Sequence, residues 1–529
     1  MRTNMLSAAV ALAIATLSFS AQAHETDPSK LGVVNFPTSC NPKAQPAFNR
    51  GAALIYNYFW APALKAFEEV VTHDPACAMA FWGAAVINMD NTLAAPPTPK
   101  QMTEGTAAIE KATALGGKTQ RERDLIAAVA EFYRDHAKVP HMTRLENYEK
   151  AMGRAHQRYP NDQEIAVLYA LALQATASPA DQTFSKQLQS AKILEKVALA
   201  QPDHPGAQHF LVHAYDYPPI AKQGLASARR YAKLAPDSPH ALHMPSHIFT
   251  RLGLWEESIE SNLRSAKSCD TPRCALHALD YAAYAYLQLG RDAEAKKVMD
   301  QILALAAAEP LFVAAYAQAA VPARYALERG NWAEAAAQST PPRAETAWAK
   351  LPQAESVLVF ARGLGAARSG DTAKARQEIA RLGVLRETLT TMQQSYWAEQ
   401  AEIQSKIVAG WTARAEGRND EAVKLLREAA DKEDATSKHI VTPGPIAPAR
   451  ELLAELLMDL KQPKDALREF TKAMEREPGR LRTLHGAGLA AERSGNEELA
   501  KTHYKQLVLM TQGTERPDIV KTKEFLARN

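Results

Sequence analysis

Small apolar residues recur along this chain at places where one helix would have to cross another. Gly253, Gly290, Gly330, Gly370 and Gly417 are each followed five positions later by Ser258, Ala295, Ala335, Ala375 or Ala422. Glycine permits a tight turn, and a small side chain just beyond it lets the next helix approach its partner closely. Intervals between these glycines are 37, 40, 40 and 47 residues, so loops or helices lengthen in the middle of the chain. Near the C-terminus Ala466 and Ala500 stand 34 apart with Pro478 between them, and Gly488 and Gly495 follow the same plan. Near the N-terminus Gly51, Ala63 and Pro75 repeat it. Proline ends the second helix of such a pair because it cannot continue the hydrogen-bond ladder. The pattern predicts an all-α array of helical hairpins, about ten of them, with essentially no sheet. Abundant alanine with only 7% aromatic residues agrees with close helix–helix packing.

Some stretches depart from this rhythm. Residues 24–43 read as an extended lead segment, 44–435 as the main array and 449–529 as C-terminal repeats. Between the last two, Pro443, Pro445 and Pro448 mark 436–448 as a loop. Pro96, Pro97 and Pro99 predict another loop over 91–100. The first 23 residues read as a cleaved signal peptide: Arg2, an apolar stretch from Leu6 to Phe19, then Ala21-Gln22-Ala23. That stretch is shorter than the roughly 20 residues needed to span a bilayer, and no other segment qualifies. The expected location is the periplasm or outside the cell. A formal charge of +3, without a basic stripe, argues against nucleic acid as a partner.

Export changes how the four cysteines read, because an oxidising compartment favours disulfides. Cys269 and Cys274 flank a four-residue loop and are natural partners. Cys40 and Cys77 would then tie the lead segment to the end of the first repeat. A four-cysteine metal site is the rival, but paired CxxC knuckles are missing.

Seven of the 15 histidines fall between residues 204 and 277, where even scattering would place about two. His209 and His213 recur as His243 and His247 after 34 residues. Four-residue spacing puts both imidazoles of a pair on one helix face, and equivalent positions of stacked repeats lie side by side. His209, His213, His243 and His247 are therefore expected to form one cluster, with His240 and His277 at its edge. Such a set suits Zn, Cu or Ni rather than Mg or Ca, with Zn or Cu expected and Asp216 or Asp280 as an alternative ligand. Pro245, inside the second histidine segment, would free the Ala241 carbonyl and kink the helix.

Thirty-four is the period of the tetratricopeptide repeat. The chain after residue 23 resembles that superfamily, in which small residues favour positions 8 and 20, glycine position 15 and proline the region of position 32. The segments FPTSC, HFLVHAYDYPP and PHALHMPSHIFTRLGLW resemble those of exported bacterial members of largely unassigned function. The resemblance implies a right-handed α-solenoid whose first helices present positions 2, 5, 9 and 12 to a concave groove. Those positions carry His209, His213 and Asp216; His240, His243 and His247; and His277 and Asp280. The histidine-rich groove would span 204–284, with Tyr284 among its aromatic walls. The leading expectation is an exported scaffold that engages a protein, peptide or small ligand there. A metal-binding protein stands second and a His/Asp hydrolase third. No His-Glu-x-x-His, nucleophile–base pair or phosphate loop occurs, so binding is expected rather than catalysis.

Overall fold

The computed structural model describes residues 30–528 except residue 95, residue 270, residues 306–311, residues 340–347 and residue 349. The expected signal segment 1–23 and the start of the lead segment lie outside the described residues. Successive helices pack as antiparallel neighbours, and no strand occurs among the described residues. The fold is an all-α solenoid of stacked helical hairpins. No helix among the described residues is long and apolar enough to cross a membrane.

The recurring small residues do what close crossing demands. Ala63, Ala295, Ala335, Ala375, Ala422, Ala466 and Ala500, with Ser258, are fully buried between helices. At Gly51 a Cβ atom would lie 2.9 Å from the Phe67 ring, closer than van der Waals contact allows. Gly290 closes the Pro272–Gln288 helix with φ 69°, a left-handed conformation that costs other residues free energy. The hydrophobic core therefore runs along the array in consecutive clusters, as stacked repeats require.

One local expectation changes. Pro99 is the first residue of the Pro99–Leu115 helix, and Thr98 caps it in a reciprocal capping box with Gln101. Proline is favoured at that position, where its missing N–H has no helical partner in any case. Residues 436–448 do form an irregular segment, between the Asn419–Asp434 and Ala449–Asp459 helices. Both expected disulfides form, Cys40–Cys77 and Cys269–Cys274, with Cα atoms 5.1 and 5.6 Å apart.

The array closes on itself. The Trp255 indole N–H donates to the Gly479 carbonyl at 2.8 Å, and Arg480 donates to the Tyr284 hydroxyl at 2.7 Å. The Leu481 amide donates to Gln288 at 3.1 Å, and Arg516 pairs with Asp292 at 3.0 Å. The 436–448 segment is laid across the histidine-bearing helices, with the Tyr281 hydroxyl donating to the Thr442 carbonyl at 3.0 Å. The histidine face is therefore covered by the chain's own C-terminal part, where an open groove was expected.

Candidate metal centre

Three successive repeats supply the histidines. His209 and His213 lie on the Pro205–Tyr215 helix, and His277 on the Pro272–Gln288 helix. Between them, Pro245 breaks the middle element into Pro239–His243, which carries His240 and His243, and Pro245–Arg251, which carries His247. Proline lacks the N–H that would bond the Ala241 carbonyl, and the chain crosses the break with a His247 amide to Met244 carbonyl bond of 3.1 Å.

The six imidazoles form two triads. The ligand nitrogens of His209, His213 and His240 all lie within 4.8 Å of one another, as do those of His243, His247 and His277. The single group of His209, His213, His243 and His247 that the 34-residue shift predicts is thus divided between them. His213 and His247 remain neighbours across the divide, with ring centroids 6.2 Å apart. His243 meets His277 at 4.4 Å, while His209 pairs with His240 at 4.9 Å. His240 and His277, expected at the edge, complete the triads. Met244 keeps a helical conformation across the break, so His243 and His247 stay together at four-residue spacing, and the regrouping lies in His240, whose ring turns to His209.

Hydrogen bonds fix several rings from behind. His209 Nδ1 faces the Tyr56 carbonyl at 2.6 Å, so it carries the proton and leaves Nε2 bare. His247 Nδ1 faces Asp216 Oδ2 at 2.8 Å. Burial opposes the charged form of Asp216, but Lys438, Arg251 and His247 outweigh it and hold its pKa well below the usual carboxylate range. An ionised carboxylate only accepts, so His247 Nδ1 is the donor. His243 Nδ1 lies 2.6 Å from Asn262 Oδ1, whose amide nitrogen donates to the Ser258 carbonyl at 2.7 Å. That second bond orients the amide and makes His243 Nδ1 a donor as well. The remaining nitrogens, His243 Nε2 and His247 Nε2, are then both bare, and they face each other at 3.0 Å.

Two lone pairs at that separation repel unless something positive lies between them. A proton is disfavoured. His209, His213, His243 and His247 are at most 6% exposed, and burial, aided by neighbouring imidazoles, pushes the pKa of His209, His213 and His243 well below the ordinary value. Burial lowers His247 too, against the pull of Asp216. A metal ion suits the spacing: two nitrogens on one tetrahedral ion at 2.0–2.1 Å stand about 3.3 Å apart. His209 Nε2 and His240 Nε2 show a similar approach at 3.1 Å. His213 Nε2 is buried without a hydrogen-bond partner.

Of the other expected site residues, Asp216 meets the triads from behind, through His247. Asp280 does not join them. It pairs with buried Arg324, and burial raises its pKa to about 6. Tyr284 bonds to Arg480, away from the imidazoles, and the aromatic wall is Tyr281, 4.9 Å from His243 and 5.0 Å from His247 between ring centroids. Both departures arise because the Pro272–Gln288 helix turns Asp280 toward the next repeat and Tyr284 toward the returning C-terminal part.

Three participants carry no repeat signature. Tyr58, with φ 52°, packs on His209 at 4.7 Å and on His240 at 5.0 Å, and its hydroxyl is buried without a partner. Asn262 orients His243. Lys438, from the covering segment, reaches Asp216 at 3.1 Å, and burial lowers its pKa to about 8. An asparagine one helix after a histidine segment could have been sought in the sequence, but nothing there marks Tyr58 or Lys438.

Fold and chamber together define a helical-repeat protein with a buried polyhistidine centre. No protein-family model and no curated protein matches the chain. Among solved structures, the human IFIT1 dimer with m7Gppp-AAAA is similar at 13% identity and a TM-score of 0.41, over 82% of this chain and 90% of that one. The APC/C hetero-tetramer Cut9–Hcn1 is similar at 11% identity and a TM-score of 0.34, over 97% of this chain and 79% of that one. Neither likeness bears on what the histidines hold.

Proposed function

We propose that the chain is an exported helical-repeat protein that binds transition-metal ions, Zn or Cu, in its buried histidine chamber. The carrying observation is the approach of His243 Nε2 and His247 Nε2 to 3.0 Å, with Nδ1 of each ring facing an oxygen acceptor from behind. Carboxylate or carbonyl partners behind ligating imidazoles are the usual way to fix their tautomer and raise their basicity. Peptide capture by these imidazoles is a poorer reading, since four of the six are at most 6% exposed. Binding rather than catalysis is the proposed role, and the location is taken from the sequence alone.

Elemental analysis of protein purified without chelator and then dialysed against Zn or Cu tests the proposal. Near-stoichiometric metal is expected, and its loss in the His213→Ala, His247→Ala double variant with unchanged helix content. Wild-type protein that takes up neither metal would overturn the reading.

A further inference from the structure

We infer that the chamber selects monovalent copper and holds two cuprous ions per chain, one in each triad. The inference rests on the metal reading above and adds the charge and number of the ions.

The buried charges around the chamber are balanced before any ion enters. Asp216 faces Arg251 at 2.9 Å and Lys438 at 3.1 Å, and Arg251 also lies 3.5 Å from Glu477. Asp280, on the helix that carries His277, is taken up by Arg324. The triads themselves are imidazoles, flanked by the phenols Tyr58 and Tyr281. Among the described residues around the chamber, no carboxylate is left over to neutralise an ion. Thiolates cannot do so either, because all four cysteines are in disulfides.

Charge therefore decides between ions of similar ligand preference. The energy of placing an ion in a low-dielectric interior grows as the square of its charge, so a divalent ion costs about four times as much as a monovalent one. Repulsion between neighbouring ions scales with the product of their charges and adds a second factor of about four. Each triad offers three nitrogens, one short of a closed zinc site and equal to the three that zinc keeps where water completes its shell, so donor number leaves the choice to charge. Copper accepts imidazole donors and has a stable monovalent state, and among the imidazole-preferring metals that combination belongs to it.

Two openings match two ions. His240 and His277 are the only partly exposed members of the six, and they belong to different triads. Each triad thus has its own route to solvent, and removing either residue should disable one triad and leave the other.

The test is an anaerobic titration of the full chain with Cu(I), with a chromophoric cuprous chelator as competitor, beside a titration with Zn(II). Two Cu(I) per chain are expected in the wild type, and equimolar Cu(I) should displace bound Zn(II). His240→Ala and His277→Ala should each retain one Cu(I). Zinc that holds against equimolar Cu(I) would overturn the choice of ion while leaving a metal site in place. A single copper ion shared by all six histidines would overturn the two-triad assignment. Uptake of neither metal would remove this inference together with the reading it rests on. The competition needs no variant, so a misfolded substitution leaves the outcome readable.

Discussion

Asp216→Asn puts the chamber's electrostatics under direct strain. The carboxylate holds His247 Nδ1 at 2.8 Å and meets Arg251 at 2.9 Å and Lys438 at 3.1 Å, all within the interior. Replacing it with an amide of the same shape removes the charge and little else. Breaking a buried ion pair from one side costs about 3–5 kcal/mol, because the partner is left uncompensated. Two features place this case near about 3 kcal/mol of that range. Arg251 keeps Glu477 at 3.5 Å, and Lys438, with a pKa already lowered to about 8 by burial, can release its proton. His247 Nδ1 also exchanges a carboxylate acceptor for a neutral amide oxygen, and changing the group that orients a ligating imidazole typically weakens metal binding 10–100-fold. Urea unfolding of the metal-free protein measures the first effect, and competition titration with a chelator measures the second. Adding Lys438→Met should recover much of the stability, since it removes the orphaned cation, but should not restore the affinity. A single variant within about 0.5 kcal/mol of wild type, the range of an ordinary surface change, would mean that the Asp216 charge does not hold this part of the fold together.

Three further outcomes follow from the same geometry. The pKa values of His209, His213, His243 and His247 are lower folded than unfolded, burial being the largest cause. The stability of the metal-free protein should thus be full above about pH 6.5 and fall below it, by about 1.4 kcal/mol per pH unit for each histidine still held neutral. Thermal melts between pH 8 and 5 that show no such fall would contradict this. Pro245→Ala restores the N–H that the Ala241 carbonyl lacks; circular dichroism should show helix content preserved, while a chelator titration should show affinity at least about tenfold weaker. Chain entropy makes Cys40–Cys77, which spans 37 residues, the stronger clasp, at about 4 kcal/mol against about 2 for Cys269–Cys274. Pairwise serine variants compared by urea unfolding should show that order, and the reverse order would count against it.

Much of the architecture was legible because repeats write their packing into the sequence. A turn glycine with a small residue five places on marks a close crossing, and Ser258 and Ala295 are buried where that rule puts them. The histidine neighbourhood was legible for the same reason: His213 with His247 and His243 with His277 are neighbours one period apart. The division into triads was not, since it depends on ring direction: His240 turns to His209, while His243, three residues on, turns to His247 and His277. Pro99 was misread although its capping box, Thr98 to Gln101, stood in the sequence. The covering of the chamber was hidden altogether. Lys438 and Asp216 are separated by 222 residues, and no local pattern announces a contact made when an array folds back on itself.

X-ray absorption at the metal edge of copper-loaded protein reads the centre most directly. A first shell of nitrogen alone is expected, at about 2.0 Å, with the multiple-scattering signature of imidazole rings. A shell containing carboxylate oxygen or sulfur, or an unchanged spectrum in the His213→Ala, His247→Ala double variant, would contradict it.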